Sequence, residues 1–121
     1  MTTYTKFKEE CAVYGEYQRR MEVLQQSIEQ QKDMHKEELQ HELEQLQQKV
    51  KQVDEVFDSL QENYGVETRM LLYRLFIGKE KPEALAKELQ QDPVIFQFQV
   101  EADVHTSLIS IALQQYRGLY A

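Results

Sequence analysis

A chain of 121 residues, 41% hydrophobic and 29% charged, holds enough for one modest core with an extension and excludes two large cores. Two prolines and four glycines among abundant Gln, Glu, Leu and Lys point to helices, because these straight side chains lose little entropy there. A formal charge of −7 opposes an electrostatic grip on nucleic acid or an anionic membrane, and a single cysteine, Cys11, excludes an intramolecular disulfide or a multi-cysteine zinc site. No apolar run follows Met1–Lys6, and no stretch approaches the roughly 18 consecutive apolar residues of a membrane span. The expectation is a soluble cytoplasmic protein, neither exported nor embedded.

From Glu16 to Asn63 there is neither Gly nor Pro, so nothing local interrupts a helix. Leu39, Leu43, Leu46, Val50, Val53, Phe57, Leu60 and Tyr64 recur at alternating steps of four and three, which is a heptad seam. An earlier seam runs through Tyr14, Tyr17, Met21, Leu24 and Ile28, and fades between Glu29 and Glu38. Two joins fit that polar gap. Steps of four through Gln31, His35, Leu39 and Leu43 make a stutter in one continuous coiled coil. Alternatively the gap is a hairpin tip, with Asp33 capping the second helix. The lack of Gly or Pro favours the continuous rod, about 72 Å long at 1.5 Å per residue. A rod of that length has no room to bury its seam on the rest of the chain, so this reading expects a homodimer whose interface is Leu39, Leu43, Leu46, Val50, Val53, Phe57 and Leu60. An ordinary core face is the competing reading of the same stripe, and the narrowness of the seam weighs against it.

Gly65 follows the end of the seam and suits a glycine in left-handed conformation that ends a helix. Composition changes there: residues 1–64 carry eight Lys/Arg and fourteen Asp/Glu, net −6, whereas 65–121 carry six and seven, net −1. Val66–Ile77 is too apolar to be exposed all round and reads as a buried helix, broken by Gly78. Pro82 starts a short helix to Gln90, with Leu85, Ala86 and Leu89 on one face. Asp92 as cap and Pro93 at the first helical position start another. Its opening, Phe96-Gln97-Phe98-Gln99-Val100, alternates as a strand would, but Ala102, Leu108, Ile109, Ile111, Ala112 and Leu113 continue at helical spacing, and Arg117-Gly118 is the expected end.

Helix, short helix, turn, longer helix is the order of a helix-turn-helix unit. Met70-Leu71-Leu72-Tyr73-Arg74-Leu75-Phe76-Ile77-Gly78, followed by Pro82-Glu83-Ala84-Leu85-Ala86-Lys87-Glu88-Leu89, resembles region 4 of sigma factors and the small phage late-transcription regulators of the ArpU and RinA type. The resemblance covers residues 66–113. It matches Leu85, Ala86 and Leu89 to packing positions of the first motif helix, and Phe96 to the apolar position of the recognition helix. It implies a regulator of phage or mobile-element transcription that contacts DNA or RNA polymerase. This chain departs from the pattern in three places: Gln90 stands at the turn glycine, Gln99 falls on an apolar site unless the register slips to Val100, and no Lys or Arg occurs between Asp92 and Tyr116. DNA reading ordinarily uses Arg or Lys on phosphates and guanine edges. The candidate contacts for DNA or a protein partner are Arg69, Arg74, Lys79, Lys81, Lys87, Gln97 and Gln99.

No catalytic set can be assembled. His35 and His41 lie six apart and do not share a helix face as a metal pair four apart would. His105 is isolated, and Cys11 has no basic neighbour or helix start to activate it, so it reads as a small buried hydrophobe. Tyr4, Tyr14 and Tyr17 read as packing groups. The sequence therefore predicts an all-α, non-enzymatic protein without metal, cofactor or small-molecule substrate. Residues 1–64 form a coiled-coil helix or a helical hairpin, and 65–121 a compact helix-turn-helix-like domain. The partners expected are a second copy, and DNA or another protein. A protein-interaction module without nucleic-acid binding is the alternative.

Overall fold

A computed structural model describes the backbone of residues 3–30 and 35–120 and the side chains of 4–30 and 35–115. Among the described residues it is all-helical, with no strand. The helices are α1 (Thr3–Ala12), α2 (Tyr14–Gln30), α3 (Lys36–Tyr64), α4 (Val66–Phe76), α5 (Pro82–Glu88) and α6 (Pro93–Tyr120).

The continuous rod is corrected: α2 and α3 pack against each other as an antiparallel hairpin. Three cross-links fix the direction. Tyr14 Oη donates to Asp54 Oδ1 at 2.7 Å, the Lys49 ammonium lies 5.3 Å from the Tyr17 ring centre, and Arg20 Nε donates to Glu42 Oε1 at 2.9 Å. Partner numbers fall as α2 numbers rise. Leu24 and Leu43, one from each seam, are buried within this single chain. The physical reason is economy of apolar surface, since two complementary stripes on one chain meet without the translational entropy cost of association. Gln31 and Asp33, the stutter step and the expected cap, lie outside the described residues. His35 stands before α3 and offers it no side-chain cap.

Beyond the hairpin, the far end of α3 becomes the centre of the molecule. Val53, Val56, Phe57 and Leu60 join Phe7, Cys11 and Tyr14 from the first two helices, Leu72 and Phe76 from α4, Leu85 and Ala86 from α5, and Phe96, Val100 and Val104 from α6. One hydrophobic cluster thus spans the 64/65 boundary. Phe7 anchors it through rings, 5.8 Å from Phe57 and 5.4 Å from Phe76 in a near-perpendicular arrangement favourable to aromatic quadrupoles.

Two glycines decide turns. Gly65 has φ +98° and ψ 170°, outside the compact left-handed well but still in territory closed to other residues, and its N–H reaches Gln61 O at 2.8 Å. That single residue closes α3 and opens α4. At Gly78 the constraint is proximity, because a Cβ there would sit 2.7 Å from the Arg74 carbonyl oxygen. Pro82 lies in the first turn of α5 as expected. Asp92 caps α6, its Oδ1 accepting from Val94 N at 2.9 Å and Ile95 N at 3.3 Å. The alternating opening is helical, and the expected stop at Arg117-Gly118 is corrected: α6 continues to Tyr120. A single glycine costs a helix only about 1 kcal/mol, too little to end one without a capping turn.

Candidate interaction surface

Of the five basic residues expected to meet a partner, the two arginines are engaged within the chain and the three lysines are not. Arg74 grips two carboxylates with its whole guanidinium: Nε and Nη2 donate to Glu80 at 2.8 and 3.0 Å, and Nη2 and Nη1 to Glu88 at 2.9 and 3.2 Å. Hydrogen bonding from Arg74 holds both carboxyls below their usual range and raises the arginine in turn. The clamp lies at the surface and ties α4 to the following turn and to α5. Arg69 Nη1 donates to Asp58 Oδ1 at 2.6 Å and Gln61 Oε1 at 3.0 Å, bracing α4 against α3. Lys79, Lys81 and Lys87 are exposed and form no ion pair among the described residues. Gln99 donates to Asp103 Oδ1 at 2.8 Å, and Gln97 lines a cleft with Lys79.

The inner face of α6 follows the packing register. Phe96, Val100, Val104 and Ser107 are buried, so the inner face runs through Val100 and leaves Gln99 exposed. Leu89, expected as an anchor, is instead half exposed. Burial keeps the Asp103 carboxyl above its usual value, with Gln99 opposing through its hydrogen bond.

The outer face of α6 was missed by sequence reasoning, which read the helix from the spacing of its apolar residues without dividing them between two faces. Phe98 is 71% exposed, Ile95 65%, Val94 63% and Ile109 60%, with Leu113 also exposed. At 100° per residue all of these fall on the side opposite Phe96, Val100 and Val104. The available signal was that α6 carries more apolar positions than one face can hold. A shorter exposed strip, Val66, Met70 and Tyr73, lies along α4. Scattered exposed apolar side chains are ordinary, whereas several along one face of a single helix make that face a candidate contact surface.

Elsewhere the chemistry is quiet. A cleft of about 390 Å³ between α1, α4 and α6 is lined by Tyr4, Lys8, Phe76, Lys79, Gln97 and Glu101, a mixed set of charges. Burial, then Glu10, pushes the Cys11 thiol up to about 12. No three His, Cys, Asp or Glu among the described residues are grouped to hold a metal, and no helix is long and apolar enough to cross a membrane. His105 stacks 5.7 Å from the Tyr4 ring with Glu101 3.6 Å from its Nε2, joining α1 to α6. Compared with protein-family models, curated proteins and solved structures, the chain matches none.

Proposed function

We propose that this chain is a protein-interaction module whose α4–α6 unit has the helix order of a helix-turn-helix but presents its long helix to a protein rather than to DNA. One observation carries the reading. At the opening turns of α6, where a DNA-reading helix sets basic and polar side chains, the exposed residues are Val94, Ile95 and Phe98, and no Lys or Arg follows until Arg117. Desolvating these groups against phosphates gains nothing, whereas burying them against an apolar surface gains about 25 cal/mol per Å². Arg69 and Arg74 support the same reading in that both already meet carboxylates and are not held ready for phosphate, although exposed pairs of this kind are worth little.

The second reading is a phage or mobile-element transcription regulator that contacts DNA directly. The helix order α4–α5–α6 and the unpaired Lys79, Lys81 and Lys87 favour it. Fluorescence polarisation with a random duplex at low salt separates the two, because non-specific phosphate attraction is greatest there. The expected result is no binding at micromolar protein. Salt-sensitive binding lost on changing Lys79, Lys81 and Lys87 to Ala would overturn the protein-only reading.

A further inference from the structure

We infer that the outer face of α6 is a self-association surface, occupied by the same face of a second copy in antiparallel orientation. This rests on the protein-interaction reading and names its partner. It also moves the dimer from where sequence reasoning put it: the seam of α3 faces α2 and the core inside one chain, while α6 keeps a seam that, apart from His105 against Tyr4, no described residue covers.

The spacing fits a helix of its own kind. Ile95, Phe98, Ala102, His105, Ile109 and Ala112 follow steps of three, four, three, four and three, the repeat that keeps two helices in contact along their length. Ala102 and Ala112 are exposed, and His105 sits at the margin toward α1. A two-fold axis between Ala102 and His105 pairs Ile95 with Ala112, Phe98 with Ile109 and Ala102 with His105. Each layer then sets a large side chain against a smaller one. Parallel pairing would instead stack Phe98 on Phe98 and Ala102 on Ala102, alternating crowded and empty layers.

Charge points the same way. About five turns of helix, roughly 27 Å long and 10 Å across, give each copy a footprint of about 300 Å² before side-chain relief, the scale of a weak interface rather than of the roughly 800 Å² per partner that a standard one buries. The seam carries no Lys, Arg, Asp or Glu, and in the antiparallel register Glu101 falls level with Thr106 of the other copy rather than with another acid. The most acidic part of the chain, residues 1–64, packs on α6 mainly at its buried inner face and reaches the seam only at its margin, through Tyr4 on His105, so two copies meet with most of that charge held apart. An anionic lipid surface is the poorer occupant, because helices that lie on membranes flank their apolar face with Lys and Arg, absent here from Asp92 to Tyr116.

Sedimentation equilibrium on the full chain at about 50 µM, well above a micromolar Kd, tests the proposal. The expected mass is near twice 14.4 kDa. Phe98→Glu with Ile109→Glu should weaken self-association about thirtyfold or more while helical circular dichroism is retained, since both side chains point away from the core. Orientation has its own readout. Ile95→Cys alone should not cross-link, because antiparallel copies hold those positions about 26 Å apart, whereas Ile95→Cys with Ala112→Cys should form a disulfide-linked dimer. This second arm stands if the glutamate variant fails to fold. A monomeric wild type, a dimer indifferent to the glutamates, cross-linking through Ile95→Cys alone, or loss only of binding to neutral lipid vesicles would each overturn the proposal. The duplex-binding measurement judges the broader reading independently, so a monomer that ignores DNA would end only the second-copy claim.

Discussion

Gln90 sits at φ +57° in the turn between α5 and α6, where its N–H meets Lys87 O at 3.0 Å and the next N–H reaches back to Ala86 O at 2.9 Å. That is the hydrogen-bond pattern of a Schellman ending, which glycine serves best because a Cβ crowds the backbone at positive φ. Gln90→Gly should therefore raise stability by about 0.5–1 kcal/mol, the relief of strain being partly offset by greater freedom of the unfolded chain. A urea midpoint that rises with an unchanged slope would bear this out; a lowered midpoint would show that the Gln90 side chain contributes more than its backbone costs. The pattern of the short helix runs through Gln90, two residues past its end at Glu88, and only the helix-turn-helix resemblance sets a turn glycine at this position. Neither has access to φ.

The α2–α3 hairpin is held at its base by Tyr14, whose phenol is buried and donates to the Asp54 carboxylate. Burial first, and then that hydrogen bond, raise the phenol above its ordinary value. Raised folded values act in one direction: the contribution is complete below about pH 10, where the unfolded tyrosine is also neutral, and is lost as pH climbs past that point and only the unfolded chain ionises freely. Stability should decline above about pH 10, and Tyr14→Phe should lessen the slope, Tyr4 and Tyr17 being raised as well and keeping the remainder. At neutral pH the same substitution should cost about 1 kcal/mol for the lost bond. Denaturant titrations at pH 7 and at about pH 10.5 read both effects. An unchanged alkaline slope would mean that Tyr14 is not held as its burial implies. The two seams were visible in sequence as stripes. Their mutual pairing was one of two joins left open, because a heptad stripe looks the same whether its partner is another chain or the next helix.

For the molecule as a whole, the decisive contrast is between two apolar faces of similar composition. Val53 is 2% exposed among residues of α1, α3, α4 and α6, so Val53→Asp buries a carboxylate and should cost about 4 kcal/mol or more, a large share of the roughly 5–15 kcal/mol available to a domain. Loss of a cooperative thermal transition is the expected outcome. A folded variant that merely dissociates would restore the coiled-coil dimer read from the sequence. The outer face of α6 should behave in the opposite way, Phe98→Glu shifting chain stability by no more than about 0.5 kcal/mol. One core explains the difference: the same cluster joins the N-terminal helices to α4–α6, so damage to α3 spreads across the chain.

Several features followed from the residues alone. Helical class came from composition, the α5 and α6 starts from Pro82 and Asp92-Pro93, and the break at Gly65 from the end of the seam. Each rests on local physics, in which a cap, a fixed φ or a missing Cβ acts within a few residues. Tertiary structure decided the rest: that α2 folds back on α3, that Arg69 and Arg74 are spent on Asp58, Glu80 and Glu88, and that α6 is apolar on both sides with only one side covered. Those outcomes depend on which surfaces meet at a distance in sequence. A periodic pattern records that a face is apolar, but the contact itself determines what covers it.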